Sequence, residues 1–263
     1  MYTYSAMDRS KKTSIKIVTF NVHFGEKIEA IATAFTQNKN LREADIIFLQ
    51  EIEYHESETI SRAEKLAAVL GLKHAYAPAR EIKKKGTHGL AILSKYDLAD
   101  IKTLALPTHS FLSRSQKRIA MTAIADVHGT RVILANIHLD TRLNSAERIA
   151  QAKVLVDKLK KDYTQKIIVG GDFNMLPFYF YKSLPVFYHN QKRRLHQYFT
   201  QEGFSCHCEN EGHTFKKGFI QFELDCIYTR NVKVMQCGVE RSVTVSDHKP
   251  VWLDVDLDAN IAS

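Results

Sequence analysis

Apolar positions along this chain follow two rhythms. Short β-branched runs closed by polar or glycine positions predict strands at Ile15–Phe20, Ala44–Leu49, Gly89–Ser94, 101–106, 119–127, 131–137, Lys166–Gly170, Leu224–Tyr228, Val232–Gln236 and Val251–Val255. Helical spacing appears at Ile28, Ile31, Ala32 and Phe35, in a capped stretch from Ser57 to Leu70 stopped by Gly71, and at Ile149, Ala152, Val156 and Leu159. Asn144 and Glu147 have capping-box spacing ahead of that last helix, and His128-Gly129 reads as a hairpin turn. No linker, low-complexity tract or repeat interrupts the pattern. It predicts one strand-rich α/β domain over residues 15–258, behind a polar, aperiodic and mobile lead at 1–14.

The strands share an oddity at their ends. Six apolar runs lead into polar or ionisable residues: Asn21, Glu51, His138, Asp172 with Asn174, Asp225, and Asp247-His248. A buried carboxylate or imidazole without partners costs several kcal/mol, so six such endings argue for one shared polar pocket. The sharpest is Gly170-Gly-Asp-Phe-Asn174, where two glycines permit close backbone approach and the two polar side chains sit two residues apart.

The residue types narrow the chemistry. Glu51 and Asp247, with Asn21 beside them, are hard oxygen ligands suited to Mg²⁺ or Mn²⁺ rather than zinc. His138 and His248 can donate to a phosphoryl oxygen or exchange a proton, and Asp172 with Asn174 can hold and activate a water. Together these describe metal-assisted phosphoester hydrolysis.

The set Thr19-Phe-Asn-Val, Leu49-Gln-Glu, His88-Gly-Leu-Ala-Ile-Leu-Ser, Asn136-Ile-His-Leu, Gly170-Gly-Asp-Phe-Asn, Leu224-Asp and Ser246-Asp-His resembles the endonuclease/exonuclease/phosphatase (deoxyribonuclease-like) superfamily, in order and over residues 15–257. The resemblance implies a four-layered α/β sandwich, two packed mixed β-sheets flanked by helices, with the site at one edge. It implies that Glu51 ligates the metal with Asn21 and Asp247 close by. Asp172 orients or deprotonates the attacking water, and Asn174 holds the phosphate and Asp172. His138 and His248 stabilise the phosphoryl oxygens or transfer a proton, with Asp225 orienting His248. Which group is the base stays open.

Charge and composition bear on the substrate. The formal net charge of +8 favours an anionic partner. Nucleic acid is the favoured phosphorylated substrate, anionic lipid or a phosphoinositide the alternative, and a catalytically dead binding module the least favoured reading. No obligate protein partner is implied. Residues 175–199 interleave aromatics with Lys182, Lys192, Arg193 and Arg194, and Arg114 lies in a basic cluster with Lys117 and Arg118; Arg114, Lys192 and Arg193 are candidate substrate contacts. No secretory leader or apolar span is seen, which suggests a cytoplasmic protein. The four cysteines do not look like a disulfide framework, which suggests a reduced one. Cys206, Cys208, His207 and His213 match no usual zinc spacing, and Asp140 and Arg148 read as a solvated loop and helix face.

Overall fold

The computed structural model describes residues 14–83, 85–108, 115–160, 164–175, 184–208 and 211–258, with side chains of the 184–201 helix from Gln191 onward. The mobile-lead expectation for 1–14 therefore falls almost wholly outside the described residues. In chain order the elements are β1 (Ser14–Phe24), α1 (Ile28–Gln37), β2 (Ile46–His55), α2 (Arg62–Leu70), β3 (Lys73–Ile82), β4 (Gly86–Ser94), β5 (Leu98–Ala105), β6 (Ile119–Val127) and β7 (Thr130–His138). There follow α3 (Ser145–Leu159), β8 (Lys166–Asp172), α4 (Leu184–Gln201), β9 (Ser205–Cys206), β10 (Phe215–Lys217), β11 (Ile220–Phe222), β12 (Asp225–Arg230), β13 (Lys233–Val239) and β14 (Val251–Asp256).

Two six-stranded sheets, ordered β13-β14-β1-β2-β4-β3 and β5-β6-β7-β8-β12-β9, pack face to face. Both are mixed, because α1 carries the chain between the parallel pair β1–β2 and α3 between the parallel pair β7–β8. Strand alternation builds the layers. In β1, Ile15 and Ile17 enter the inter-sheet core with Phe48, Ile92, Leu134 and Ile168, whereas Val18 and Phe20 meet Ile31, Phe35 and Leu66 of the helices outside. The second sheet covers its outer face with Leu155, Val156 and Phe199 of α3 and α4. This is the expected helix–sheet–sheet–helix sandwich.

Local signals hold with small shifts. Asn144 and Glu147 form the reciprocal capping box. Helix α2 begins at Arg62 under a Ser61 cap, later than the apolar pattern suggests, and ends at a left-handed Gly71. A polar stitch crosses the apolar core. Asn136 of β7 accepts from Gln50 Nε2 at 2.8 Å and donates to the carbonyls of Leu49 and Ala91 at 2.9 Å each, while Gln50 also donates to Thr19. Beside it, a Cβ at Gly170 would strike the Phe48 ring, so β8 needs glycine there to lie against the facing sheet.

Candidate active site

Because side chains alternate, the residues facing the core along β7, β8 and β12 end in His138, Asp172 and Asp225. Strand register sets them shoulder to shoulder: His138 is opposite Asp172, and Asp172 opposite Asp225. From the facing sheet, β1 ends its inner face in Asn21, whose Nδ2 donates to Asp172 Oδ2 at 2.9 Å. Glu51 is the exception to alternation, which would turn it toward the helices. A bulge between Gln50 and Ile52, with Glu51 at φ 55°, turns it back to the inner side. Such a backbone costs about 1–3 kcal/mol and persists where the surroundings impose it.

The result is one cluster. Asp172 Oδ1 accepts from the Asn174 amide at 3.0 Å, and Asp172 Oδ2 lies 3.5 Å from His138 Nε2 and 3.7 Å from His248 Nε2. His248 Nδ1 is 2.8 Å from Asp225 Oδ2, and Ser246 Oγ accepts from the His248 amide while donating to Asn21 O. His138 Nε2 is 3.8 Å from Glu51 Oε1. Hence Asn21, Glu51, His138, Asp172, Asn174, Asp225 and His248, read separately along the sequence, meet. Asn21 faces its neighbours through the amide nitrogen, and its Oδ1 accepts from the His23 amide at 3.1 Å. Asp247 stands on the rim instead, 3.4 Å from His23 Nδ1 and half-buried in a cleft with Lys27 and Lys217.

The two histidines are driven to opposite states. Burial pulls the His248 imidazolium down, but Asp225 and Asp172 outweigh it and push its pKa up to about 10. Burial, and then the charge of Arg118, holds His138 well below its ordinary value, so its ring is neutral. Burial raises Asp172 to about 6, with Asp225 adding to it against His248 and the bonds from Asn21 and Asn174. Burial also raises Glu51 above the usual carboxylate range. Glu51, part-buried and grouped with His88 and His138, offers the hard oxygen donor that would hold a divalent cation at this pocket.

Arg118 is the site residue that sequence reading missed. It looks like part of a surface basic cluster, yet it is 6% exposed and donates to His138 Nδ1 at 3.0 Å. Asn174 Nδ2 lies 2.9 Å from the other ring nitrogen and donates to Leu139 O. Two donors thus face a ring with one proton. The charged guanidinium makes the stronger bond, so Nδ1 accepts and the proton sits on Nε2. With Asn174 Nδ2 donating to Leu139 O, the Nε2–H is left to face Asp172 Oδ2 at 3.5 Å. His88, also unassigned from sequence, is buried near Glu51 and His138 and lowered to about 3, chiefly by burial.

Other expectations need correction. Asp140 and Arg148 are buried, not solvated: the carboxylate accepts from Ser115, Gln116 and Arg142, and Arg148 donates to the carbonyls of Asp140 and Thr141. Cys206 and Cys226 form a disulfide between β9 and β12, against the expectation of a reduced chain with no disulfide framework, while Cys208 and Cys237 are free. Lys192 pairs with Glu223, and Arg193 is exposed on α4. Arg114 lies outside the described residues, as do residues 178–181 of the aromatic stretch; Phe199 stacks on Tyr228 at 4.0 Å in the core. No described helix is long and apolar enough to cross a membrane.

Comparison with known proteins agrees with this fold. A sequence profile of the Endonuclease/Exonuclease/phosphatase family matches residues 18–248. A search of curated proteins by sequence finds no match. Among solved structures, an endonuclease/exonuclease/phosphatase from Beutenbergia cavernae superposes with a TM-score of 0.73 at 14% identity, over 93% of this chain and 72% of its own. A mannosyl-6-phosphatase from Bacteroides thetaiotaomicron gives 0.67 at 18%, over 92% and 99%. TDP2 from C. elegans gives 0.64 at 21%, over 92% and 75%.

Proposed function

Given that the chain belongs to the endonuclease/exonuclease/phosphatase family of phosphoester hydrolases, we propose that it is a divalent-metal-dependent phosphodiesterase that cleaves nucleic acid by in-line attack of water. The observation carrying this reading is the approach of Glu51 from one sheet and Asp172 from the other to His138 Nε2, at 3.8 and 3.5 Å, with His248 3.7 Å from Asp172. A bound Mg²⁺ or Mn²⁺ would supply Lewis-acid stabilisation of a phosphoryl oxygen.

The protein's own groups divide the remaining work. Asp172, fixed by Asn21 and Asn174, aligns the attacking water and takes its proton, for which a carboxylate raised to about 6 is well matched. His248, kept as imidazolium by Asp225, faces the developing negative charge as a cationic donor. The neutral His138 Nε2–H holds a second phosphoryl oxygen, with Arg118 behind it. The formal net charge of +8 favours a polyanionic substrate.

The test is hydrolysis of bis(p-nitrophenyl) phosphate with and without chelator, then a panel of single-stranded DNA, RNA, duplex, a sugar phosphate monoester and anionic liposomes. Chelator-sensitive cleavage that is fastest on nucleic acid is expected. No cleavage with any divalent ion removes the enzymatic reading, and preference for the monoester or the liposomes removes the substrate.

A further inference from the structure

On the face of the second sheet that α4 covers, three elements bring soft donors together. Cys206 of the edge strand β9, Cys226 of β12 and His196 of α4 place two sulfurs and one ring nitrogen within 4.8 Å of one another. Strand register sets the cysteines on one face: Cys206 lies opposite Tyr228, two residues beyond Cys226. Their Cα atoms are 7.1 Å apart, a diagonal cross-strand separation. Two metal–sulfur bonds of about 2.3 Å can cover that span by side-chain rotation. His196 is buried, with Nδ1 2.8 Å from Tyr228 Oη. A phenol oxygen accepting the Nδ1 proton leaves the Nε2 lone pair for a metal, the usual way in which a ligating imidazole is oriented.

These three residues line a small cavity of about 10 Å³ together with Met175, Cys208 and Asp225. That volume takes about one small atom or ion. Asp225 Oδ1 is buried and accepts no hydrogen bond among the described residues, while Oδ2 holds His248. A carboxylate oxygen buried in this way is costly unless a donor or cation meets it. Lys192 also borders the cavity, but its charge is taken up by Glu223.

We propose that Cys206 and Cys226, once reduced, form with His196 a zinc site separate from the catalytic pocket, with a bound water facing Asp225 Oδ1 in the fourth position. The disulfide opens by exchange with a low-molecular-weight thiol. Its thiolate attacks Cys206 Sγ at the half-buried sheet edge, breaking the S–S bond and releasing the Cys226 thiolate. A second thiol frees Cys206 and departs as the oxidised dimer. Zinc takes both cysteine thiolates, and the two protons brought by the thiols pass to solvent. Two sulfur anions cancel the charge of the ion, so the buried complex is neutral. A sulfur–nitrogen donor set selects zinc over magnesium, the opposite preference to the oxygen donor of Glu51. The site is independent of the phosphodiesterase reading, because its ligands take no part in hydrolysis.

The full chain, reduced with a phosphine under nitrogen, is titrated with Co²⁺ as a spectroscopic stand-in for zinc. A thiolate-to-cobalt charge-transfer band saturating at a single equivalent is expected. Zn²⁺ should bleach it, excess Mg²⁺ should not, and unreduced protein should show none. Cys206→Ser and Cys226→Ser should each abolish the band, and His196→Ala should weaken affinity at least about tenfold. The double variant Cys208→Ser/Cys237→Ser, which removes the free thiols, should keep it. Circular dichroism checks that each variant folds, and Cys206→Ser at the sheet edge decides the case if Cys226→Ser misfolds. The proposal is overturned if the reduced parent gives no band, if the band survives loss of Cys206 or Cys226, if it vanishes with Cys208 and Cys237, or if His196→Ala binds like the parent. Loss of native circular dichroism on reduction also overturns it, since the disulfide is then a permanent structural link.

Discussion

Replacing Arg118 with methionine separates stability from catalysis. The guanidinium is buried, so its bond to His138, worth about 1.5–3 kcal/mol for a charged donor, is set against a desolvation cost of several kcal/mol. Methionine fills similar volume without charge. The unfolding free energy should therefore change by only about 1 kcal/mol, of either sign. Catalysis should not be spared. Without Arg118, neutral His138 is free to place its proton on Nδ1, and the Nε2–H donor facing Asp172 is lost from part of the population. Loss of one charge-assisted donor arrangement, at about 1.4–3 kcal/mol of transition-state stabilisation, predicts a fall in kcat of about 10- to 100-fold. The assay is chelator-controlled hydrolysis of an aryl phosphodiester together with nitrogen-15 histidine spectra, which distinguish the two tautomers. Parent His138 should show protonated Nε2, and the variant a mixture or the other tautomer. If the parent carries its proton on Nδ1, or if Arg118→Met keeps both its tautomer and its rate, the reasoning fails.

Other outcomes follow from the same geometry. Asp172→Asn and His248→Ala should each cut kcat by at least about 10²-fold while circular dichroism stays native; parental rates in both would refute their roles. Glu51→Gln should shift the Mg²⁺ activation curve to higher concentration, and a curve superimposable on the parent's would remove Glu51 as a ligand. In metal-free protein the raised carboxyl of Asp172 reverses the usual acid behaviour. The folded state holds its proton up to about pH 6 and the unfolded chain only to about 3.9. Stability from this group is therefore highest below pH 4 and falls by roughly 2–3 kcal/mol as pH rises to 6, with His248 lost later, as pH approaches 10. Thermal unfolding in chelator, parent minus Asp172→Asn, should slope downward between pH 4 and 6, and added Mg²⁺ should stabilise more at pH 7 than at pH 4.5. A flat difference curve would show that Asp172 titrates normally.

Legibility in the sequence tracked the range of the signal. Strands, the α3 cap and the polar strand ends are local patterns, and period-two alternation suffices to put His138, Asp172 and Asp225 on one face. Glu51 was legible by type and position, though the bulge that aims it was not, because a bulge depends on the partner strand. Arg118 and Arg148 could not be found this way. A lysine-arginine pair in a chain with 37 cations reads as solvated surface, and only the tertiary placement of His138 and of the Asp140 turn supplies the buried acceptors. The Cys206–Cys226 link, 20 residues apart, exists because β9 pairs with β12, a long-range fact. The β10–β11 hairpin, three residues per strand, is too short to leave a periodic trace.

The hydrogen bonds of Asn136 across the apolar interior carry a kinetic implication. They mature only once the two halves of the sandwich have docked, and the reacting groups come from both halves. A collapsed intermediate with each half folded but undocked would hold Asp172 and Glu51 too far apart to act. Regain of turnover during refolding should therefore lag the return of secondary structure and coincide with the final closure of the interior.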